Sequence, residues 1–311
     1  MIARRTFWTG AATLAFGTAP RAAEAKIVRI GTQKGGPILM AERQQRGLET
    51  LLAPMGVEVK WVEFQFGPPI MEALRIGAID IGFAGDAPPI FAQAAKGDLV
   101  YLAAVPASAE GILLPAGSTL QSLAELKGKR VAFARGSAAH NLTIAAVEKA
   151  GLNFADIVQT PLAPADAAAA FERGAVDAWV VWDPYYALYE TRPNVRVLAT
   201  SDGIAPQNSF ILGSRAFAEA NPGLISKILA DLARISDWAL TNKHAVAELV
   251  STGTGVPYEP TLRALNRYPF RVLPIGPDHI ASQQDIADRF HRLGVIPSKL
   301  DISAWTWHKP A

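Results

Sequence analysis

Hydrophobic and polar positions alternate in two rhythms along this 311-residue chain. Short apolar or alternating stretches, typical of β-strands, are followed by stretches with apolar residues three and four positions apart, typical of helices. The predicted strands are 27–31, 57–64, 79–84, 100–105, 112–114, 131–134, 158–160, 178–182, 195–198 and 210–212. The predicted helices are 38–52, 68–76, 88–95, 120–126, 142–150, 165–173, 184–190, 223–241 and 279–293. Strands that alternate with helices predict an α/β protein with mostly parallel sheets covered by helices on both faces.

The order of these elements indicates two lobes rather than one continuous sheet. Boundaries near residues 106 and 217 assign 26–105 and 217–311 to a first lobe, with 106–216 inserted as a second lobe. Two sheets joined by crossing strands leave a cleft between them, and open α/β sheets bind ligands beyond the carboxyl ends of their strands. We therefore expect a functional site in the turns that follow strands.

The first 25 residues have the pattern of an export signal. Arg4 and Arg5 precede an uncharged run at 6–19, and Ala23-Glu24-Ala25 fits the cleavage site of a signal peptide. The run is shorter than the roughly 18–20 residues that span a bilayer, which disfavours the alternative of a membrane anchor. The paired arginines also resemble a twin-arginine signal, so both export routes stay open. We expect a mature protein that begins near Lys26 and resides in the periplasm.

Charge and composition exclude several classes of protein. The whole chain has 30 basic and 28 acidic residues, and removing the signal, with its three arginines and one glutamate, leaves 27 of each. A neutral chain does not suit a nucleic-acid groove, and 50% apolar with 19% charged residues excludes intrinsic disorder. The absence of cysteine excludes disulfides, thiolate nucleophiles and thiol-bound metals. With five scattered histidines besides, we expect neither a metal nor another cofactor.

Three strand-to-helix turns carry groups suited to a compact anion. Glycine lets the backbone approach a ligand closely, and each following helix presents unpaired N–H groups and the positive end of its dipole. Ordinary turn chemistry is the alternative interpretation, in which Asp86 or Ser137 caps a helix and His140 is structural. The three turns are Gln33-Lys34-Gly35-Gly36, Gly85-Asp86-Ala87-Pro88 and Gly136-Ser137-Ala138-Ala139-His140-Asn141.

The segment Trp179-Val180-Val181-Trp182-Asp183-Pro184-Tyr185-Tyr186 is the most unusual in the chain. Period-2 alternation sends Trp179 to one face of the predicted strand and Trp182 to the other, at the strand end where a cleft would lie. Asp183 is suited to cap the following helix, with Pro184 at its first position. Trp182 is interpreted either as an apolar cleft wall or as core.

Signatures of enzymes are missing from the sequence. It contains no G-x-S-x-G, H-E-x-x-H or Walker motif and no complete G-x-G-x-x-G, since Gly253-Thr254-Gly255 lacks the third glycine. We therefore expect a binding protein. A secreted enzyme on the same scaffold is an alternative if Asp86, His140 and Asp183 lie within hydrogen-bonding distance of one another.

Five segments together resemble the aliphatic sulfonate-binding proteins of ABC importers, in order over nearly the whole mature chain. They are Ile30–Gly35, Trp61–Phe64, Gly85–Ala94, Gly136–Asn141 and Val176–Tyr186. The resemblance implies a two-lobed type II periplasmic binding protein, acting as a monomer, that delivers alkanesulfonates to a membrane permease as sulfur sources.

The resemblance also implies where the ligand binds. The anion site would lie on the turns that contain Gln33, Lys34, Gly35, Gly85, Asp86, Ser137, Ala138, His140 and Asn141, with Trp182 and Asp183 on the opposing wall. Family members carry a serine-rich run where this chain has Ala138 and Ala139, so two hydroxyl donors are absent. Taurine, nitrate or a thiamine-precursor pyrimidine are alternative ligands, and Asp86 or Asp183 facing an ammonium group would favour taurine.

Overall fold

The computed structural model describes residues 25–205 and 207–308, so all but the last residue of the predicted signal peptide lies outside the described part. The ten strands are β1 Ile27–Gln33, β2 Glu58–Phe64, β3 Ile81–Gly85, β4 Leu99–Pro106, β5 Glu110–Pro115, β6 Arg130–Phe133, β7 Val158–Pro161, β8 Ala178–Trp182, β9 Val195–Thr200 and β10 Asn208–Ser214. The α-helices are α1 Pro37–Gln45, α2 Gly47–Leu52, α3 Gly67–Arg75, α4 Ala87–Ala94, α5 Ala138–Lys149, α6 Pro164–Glu172, α7 Tyr185–Glu190, α8 Arg215–Ala220, α9 Pro222–Thr241, α10 Lys243–Thr254, α11 Tyr258–Arg267 and α12 Pro277–Arg292.

The strands form two five-stranded sheets, one in each lobe. Their orders are β2-β1-β3-β10-β4 and β7-β6-β8-β5-β9. In each sheet four strands run in one direction and one runs against them, β10 in the first sheet and β5 in the second. The reversed strand is in both cases the one that follows a crossing between the lobes. The predicted α/β architecture with two lobes is confirmed, with sheets that are mixed rather than wholly parallel.

The chain crosses between the lobes at residues 107–109 and 201–207. The first crossing lies at the predicted boundary, but the second comes earlier than the predicted boundary at 217. Strand β10 pairs with β3 and β4, so residues 208–216 belong to the first lobe. The sequence pattern had assigned them to the second lobe. A short apolar run such as Phe210–Leu212 predicts a strand without indicating which sheet it joins, and this explains the misplaced boundary.

The predicted helix at 38–52 is two helices. Arg46 has a φ of 55° and ends α1 in the left-handed region, after which α2 begins at Gly47. The carboxylate of Glu42 accepts a hydrogen bond from the backbone N–H of Leu48 and so caps the first turn of α2. The predicted helix at 120–126 is only a 3₁₀ turn at Leu123–Leu126.

The aromatic strand β8 divides its side chains between two cores. Val180 and Trp182 pack into the core on one face of the second sheet, and Trp179 and Val181 into the core on the other. Trp179 is buried, with 1% of its surface exposed, whereas Trp182 is only partly buried. The predicted alternation is confirmed, and it leaves Trp182 at the end of the strand that faces the first lobe.

Candidate functional site

A cavity lies between the two lobes. Its volume is about 70 Å³, well above the roughly 10–15 Å³ that a single water molecule requires. Its walls contain glycines, serines, an amide, an ammonium group, two carboxyl groups and several rings. They are formed by Gln33, Lys34, Gly35, Gly67, Phe83, Gly85, Pro88, Ala107, Ser108, Glu110, Ser137, Ala138, Trp182, Asp183, Ser209 and Tyr268.

Four strands direct their carboxyl ends towards this cavity. The segments that follow β1 and β3 come from the first lobe, and those that follow β6 and β8 come from the second. They bring together eight of the residues singled out in the sequence: Gln33, Lys34, Gly35, Gly85, Ser137, Ala138, Trp182 and Asp183. Each lobe therefore contributes half of an expected binding site, because strand ends of parallel neighbours meet at one edge of a sheet.

His140 does not line the cavity. Its ring is stacked between Phe133 and Phe91, with centroids 4.8 and 5.7 Å away, and its Nδ1 accepts a hydrogen bond from the N–H of Gly136. Helix α5 begins at Ala138, and at 100° per residue the side chain two positions later points away from the face that Ala138 presents. Burial, with a smaller contribution from Arg135, lowers the pKa of His140 to about 4.

Asp86 and Asn141 also lie outside the cavity wall, where they connect the two lobes. The carboxylate of Asp86 caps α4 by accepting the N–H of Ala87 at 2.6 Å, and its other oxygen accepts from Nδ2 of Asn141 at 2.8 Å. Arg289 on α12 donates to Oδ1 of the same Asn141 side chain at 3.1 Å. Burial raises the pKa of Asp86 to about 7, against the opposing effects of these donors. Asp86 and Asn141 therefore form part of the buried interface between the lobes, beside the cavity.

Asp183 links the two lobes through an ion pair with two hydrogen bonds. Arg267 on α11 donates Nε to Oδ2 at 2.7 Å and Nη2 to Oδ1 at 2.6 Å. Ser108 Oγ donates to the same carboxylate at 2.6 Å, and the N–H of Ala187 donates to it at 3.1 Å. The carboxylate is almost fully buried and its charge is matched by a guanidinium, so it is satisfied without a ligand.

Several cavity residues were not found in the sequence. Ser108 lies in the first crossing and Glu110 directly follows it, Ser209 is the second residue of β10, and Tyr268 directly follows α11. Their one common signal is that a lone polar residue stands at the edge of an apolar strand or helix, a pattern that recurs at many surface positions. Only the chain path makes them neighbours.

The cavity has a polar part and an apolar part. Gln33, Lys34 and the hydroxyl of Ser209 offer donors, together with the backbone N–H groups at the start of α5, before those that bond to the carbonyl of Ser137. Phe83, Pro88 and Trp182 supply an apolar wall. Such a surface suits a small ligand with an anionic head and an organic tail.

Within the described ranges, no group of three or more His, Asp or Glu side chains is arranged to hold a metal ion. The candidate catalytic trio of Asp86, His140 and Asp183 is separated into three different hydrogen-bonding environments. Across residues 25–205 and 207–308, no helix has the length and hydrophobicity that a membrane crossing requires.

Two mixed α/β lobes, joined by two crossing segments with a cavity between them, define the class of two-lobed periplasmic binding proteins. The chain belongs to the NMT1-like family, whose model matches residues 19–252.

Similar proteins extend over nearly the whole chain. It is 39% identical over 285 residues to a putative aliphatic sulfonates-binding protein of Escherichia coli K12, covering 91% of this chain and 89% of that protein. The solved alkanesulfonate-binding protein SsuA of Xanthomonas axonopodis pv. citri, bound to MOPS, is 37% identical with a TM-score of 0.85, covering 92% of this chain and 99% of that one. The periplasmic aliphatic sulphonate binding protein SsuA of E. coli is 38% identical with a TM-score of 0.84, covering 92% and 94%.

Proposed function

We propose that this protein is the periplasmic solute-binding subunit of an ABC importer and that it binds aliphatic sulfonates between its lobes. The observation that carries the proposal is the cavity itself, in which donors and helix N-termini from both lobes face an apolar wall. The similarity to alkanesulfonate-binding proteins of known structure supports the same ligand class.

Donors at the site are sufficient for useful affinity. Micromolar binding corresponds to about −8 kcal/mol. Three or four hydrogen bonds to an anion, at roughly 1.5–3 kcal/mol each, reach that value before the cost of ordering. Burial of a short alkyl tail adds about 0.8 kcal/mol per methylene group. No arginine is required in direct contact, and Lys34 is the cation among the cavity residues.

Ala138 replaces a serine hydroxyl with a methyl group at the cavity wall. The anionic head would therefore rely on the backbone N–H groups at the start of α5 and on the donors of the first lobe. Ser137 Oγ donates its proton to the carbonyl of Ala134 at 2.7 Å, so this hydroxyl has no proton to donate to an anion. Backbone donors thus carry more of the binding in this proposal.

The residues assigned to the ligand are Gln33, Lys34, Gly35, Gly85, Ser137, Ala138, Trp182 and Asp183, and Asp183 acts by fixing the lobes through Arg267. Asp86, His140 and Asn141 support the site from behind its wall. Export by a cleavable signal peptide, a monomeric state and delivery to an inner-membrane permease complete the proposal. The protein acts as a receptor and not as an enzyme.

A thermal-shift panel tests the ligand class. A ligand that binds only the native state raises its stability by RT ln(1 + [L]/Kd), about 2.7 kcal/mol at 100 times Kd. We expect alkanesulfonates to raise the melting temperature, with smaller effects from sulfate and nitrate. A shift with taurine alone would favour an aminosulfonate receptor, and no shift with any sulfonate would refute the proposal.

A further inference from the structure

Glu110 is a buried acid on the cavity wall that has no established role. It is the first residue of β5, directly after the first crossing between the lobes, and 3% of its surface is exposed. Its Oε2 has no hydrogen-bond partner in the described part of the chain. A buried polar atom without a partner costs free energy, so such atoms commonly mark a site that a ligand completes.

The groups around Glu110 do not neutralise it. Asp86 approaches from the turn after β3 and Asp183 from the end of β8, and both are acids. Each of these has its own arginine nearby, Arg289 for Asp86 and Arg267 for Asp183, whereas no ion pair to Glu110 is formed in the described ranges. The remaining charged group on the cavity wall is Lys34.

Burial is the largest influence on the protonation of this side chain, followed by the charges of Asp86 and Asp183, and together they raise the pKa of Glu110 well above its ordinary value. The amide of Gln207 offsets part of this shift, although neither of its polar atoms reaches a partner with good hydrogen-bond geometry. A neutral carboxylic acid is a hydrogen-bond donor, while an ionised carboxylate only accepts.

An anionic ligand also favours the neutral form of Glu110. An ionised Glu110 beside a sulfonate would place two negative charges in a cavity of about 70 Å³, and the one lysine on its wall, Lys34, balances only one of them. A neutral Glu110 instead offers its proton to a sulfonate oxygen, which is an acceptor only. The second arrangement satisfies the unpartnered Oε2 and avoids the repulsion.

We propose that Glu110 is a specificity-determining residue that binds the sulfonate as a neutral carboxylic acid, donating the Oε2–H to a sulfonate oxygen. The inference rests on the proposed function. No covalent bond changes, and the ligand anion occupies the cavity together with one proton held on Glu110. Where Glu110 is ionised in the free protein, binding takes up that proton from solvent.

The test measures ethanesulfonate binding by isothermal titration calorimetry to the wild-type protein and to three variants. Glu110→Gln keeps a donor of the same shape, Glu110→Leu removes it, and Glu219→Gln is a matched control at an exposed acid of the first lobe. At about pH 6 we expect Glu110→Gln to bind within about threefold of wild type, and Glu110→Leu about tenfold or more weakly. Melting temperatures of the free proteins show whether each variant is folded.

The pH dependence gives a second readout. Between about pH 6 and pH 10, the wild-type Kd should rise by up to about tenfold per unit once Glu110 ionises in the free protein, while Glu110→Gln stays level. Titrations of the wild-type protein in two buffers of different ionisation enthalpy should report proton uptake over the same range. A slope that persists in Glu110→Gln, for example from Asp86, overturns the proposal, as does a wild-type Kd that stays level to pH 10.

Comparison with taurine tests whether Glu110 instead acts as an ionised carboxylate that binds an ammonium group. Taurine is ethanesulfonate with an added ammonium group, so an ionised Glu110 would favour it strongly and Glu110→Gln would abolish that preference. That result, or a Glu110→Gln variant that binds ethanesulfonate far more tightly than wild type at all pH values, overturns the proposal. Equal binding by Glu110→Leu also overturns it. If no sulfonate binds to any variant at any pH, the proposed function fails as well.

Discussion

The guanidinium of Arg267, on the first lobe, clasps the carboxylate of Asp183, on the second lobe, through two hydrogen bonds of 2.7 and 2.6 Å. The same guanidinium donates to Glu190 at 2.8 Å and lies 4.6 Å from the ring centroid of Tyr186. All three partners belong to the second lobe, so the contacts exist only while the lobes are together. Arg267 therefore stabilises the arrangement in which the two lobes are in contact beside the cavity, here called the closed state.

Replacing Arg267 by alanine should weaken ligand binding more than it lowers the stability of either lobe. Removing one partner of a buried ion pair costs roughly 3–5 kcal/mol, and the partial exposure of Arg267 reduces this to about 1–3 kcal/mol. If that cost falls on the closed state, the apparent Kd rises by about tenfold or more. Isothermal titration calorimetry with ethanesulfonate measures the effect.

Arg192→Ala is the matched control for this variant. Arg192 pairs with Glu172 at 2.6 Å and lies over Tyr189 at 4.0 Å, so it has the same kinds of contact but within the second lobe alone. Its removal should leave the Kd close to that of wild type. Equal losses of affinity in the two variants would show that the Arg267–Asp183 ion pair has no particular role in closing the lobes.

Trp182→Ala should reduce affinity in proportion to the size of the ligand tail. The ring forms part of the apolar wall, and removing it exposes the tail to water at about 25 cal/mol for each Å² uncovered. We expect a loss of about tenfold for a long or aromatic sulfonate and a much smaller loss for methanesulfonate. Trp238→Ala, in the outer helices of the first lobe, is the control. The same loss for all tail lengths would mean that Trp182 serves only the core.

Glu42 and Asp231 should make the stability of the first lobe depend on pH. Their Oε2 and Oδ2 atoms are buried without hydrogen-bond partners, and burial followed by the charge of Asp231 raises the pKa of Glu42 to about 7. The folded state thus holds a proton that the unfolded state releases near pH 4.5. The resulting stability is fully present below about pH 4.5 and is lost as the pH rises through 7.

Glu42→Gln should remove this dependence, because the amide N–H takes the place of the proton on Glu42 at every pH. The amide oxygen can still accept the hydrogen bond from the N–H of Leu48. Denaturant unfolding at several pH values measures the difference between variant and wild type. Glu219→Gln, at an exposed acid, should keep the wild-type profile. A Glu42→Gln profile parallel to that of wild type would contradict the assignment.

His140 should remain uncharged until the solution is distinctly acidic. Its pKa of about 4 lies below the ordinary 6.5, so the folded state disfavours the imidazolium. Its stabilising contribution is present above pH 6.5 and is lost as the pH falls through 4. A nuclear magnetic resonance titration, assigned with a His140→Gln variant, checks this value. A titration near 6.5 that moves upward when sulfonate is added would instead indicate direct contact with the anion.

The sequence revealed more of the cavity than of the contacts that enclose it. Turns after β1, β3, β6 and β8 follow from the rule that ligands bind at the carboxyl ends of strands, so residues such as Gln33 and Trp182 could be singled out. The turn pattern does not distinguish His140 from the cavity residues. The direction of its side chain depends on the residue at which α5 begins, and the turn pattern does not determine that start.

Glu110 and Arg267 could not be placed in the same way. Glu110 reaches the cavity, and Arg267 reaches Asp183 on the cavity wall, from elements that are far along the chain from the strand-end turns. These contacts depend on the two crossings and on the packing of α11 against α7. Local propensity predicts that a helix ends near Arg267, and nothing local indicates that its guanidinium meets a carboxylate in the other lobe.

If an alkanesulfonate binds in the cavity between the lobes, a bulky side chain on the cavity wall should exclude it. The most direct test is isothermal titration calorimetry of ethanesulfonate with the wild-type protein, with Ala138→Trp and with Ala165→Trp. Ala138 lines the cavity in the first turn of α5, whereas Ala165 is exposed in the first turn of α6. We predict one-to-one binding by wild type and Ala165→Trp and none by Ala138→Trp. Undiminished binding by Ala138→Trp, or no binding by wild type, would contradict the claim.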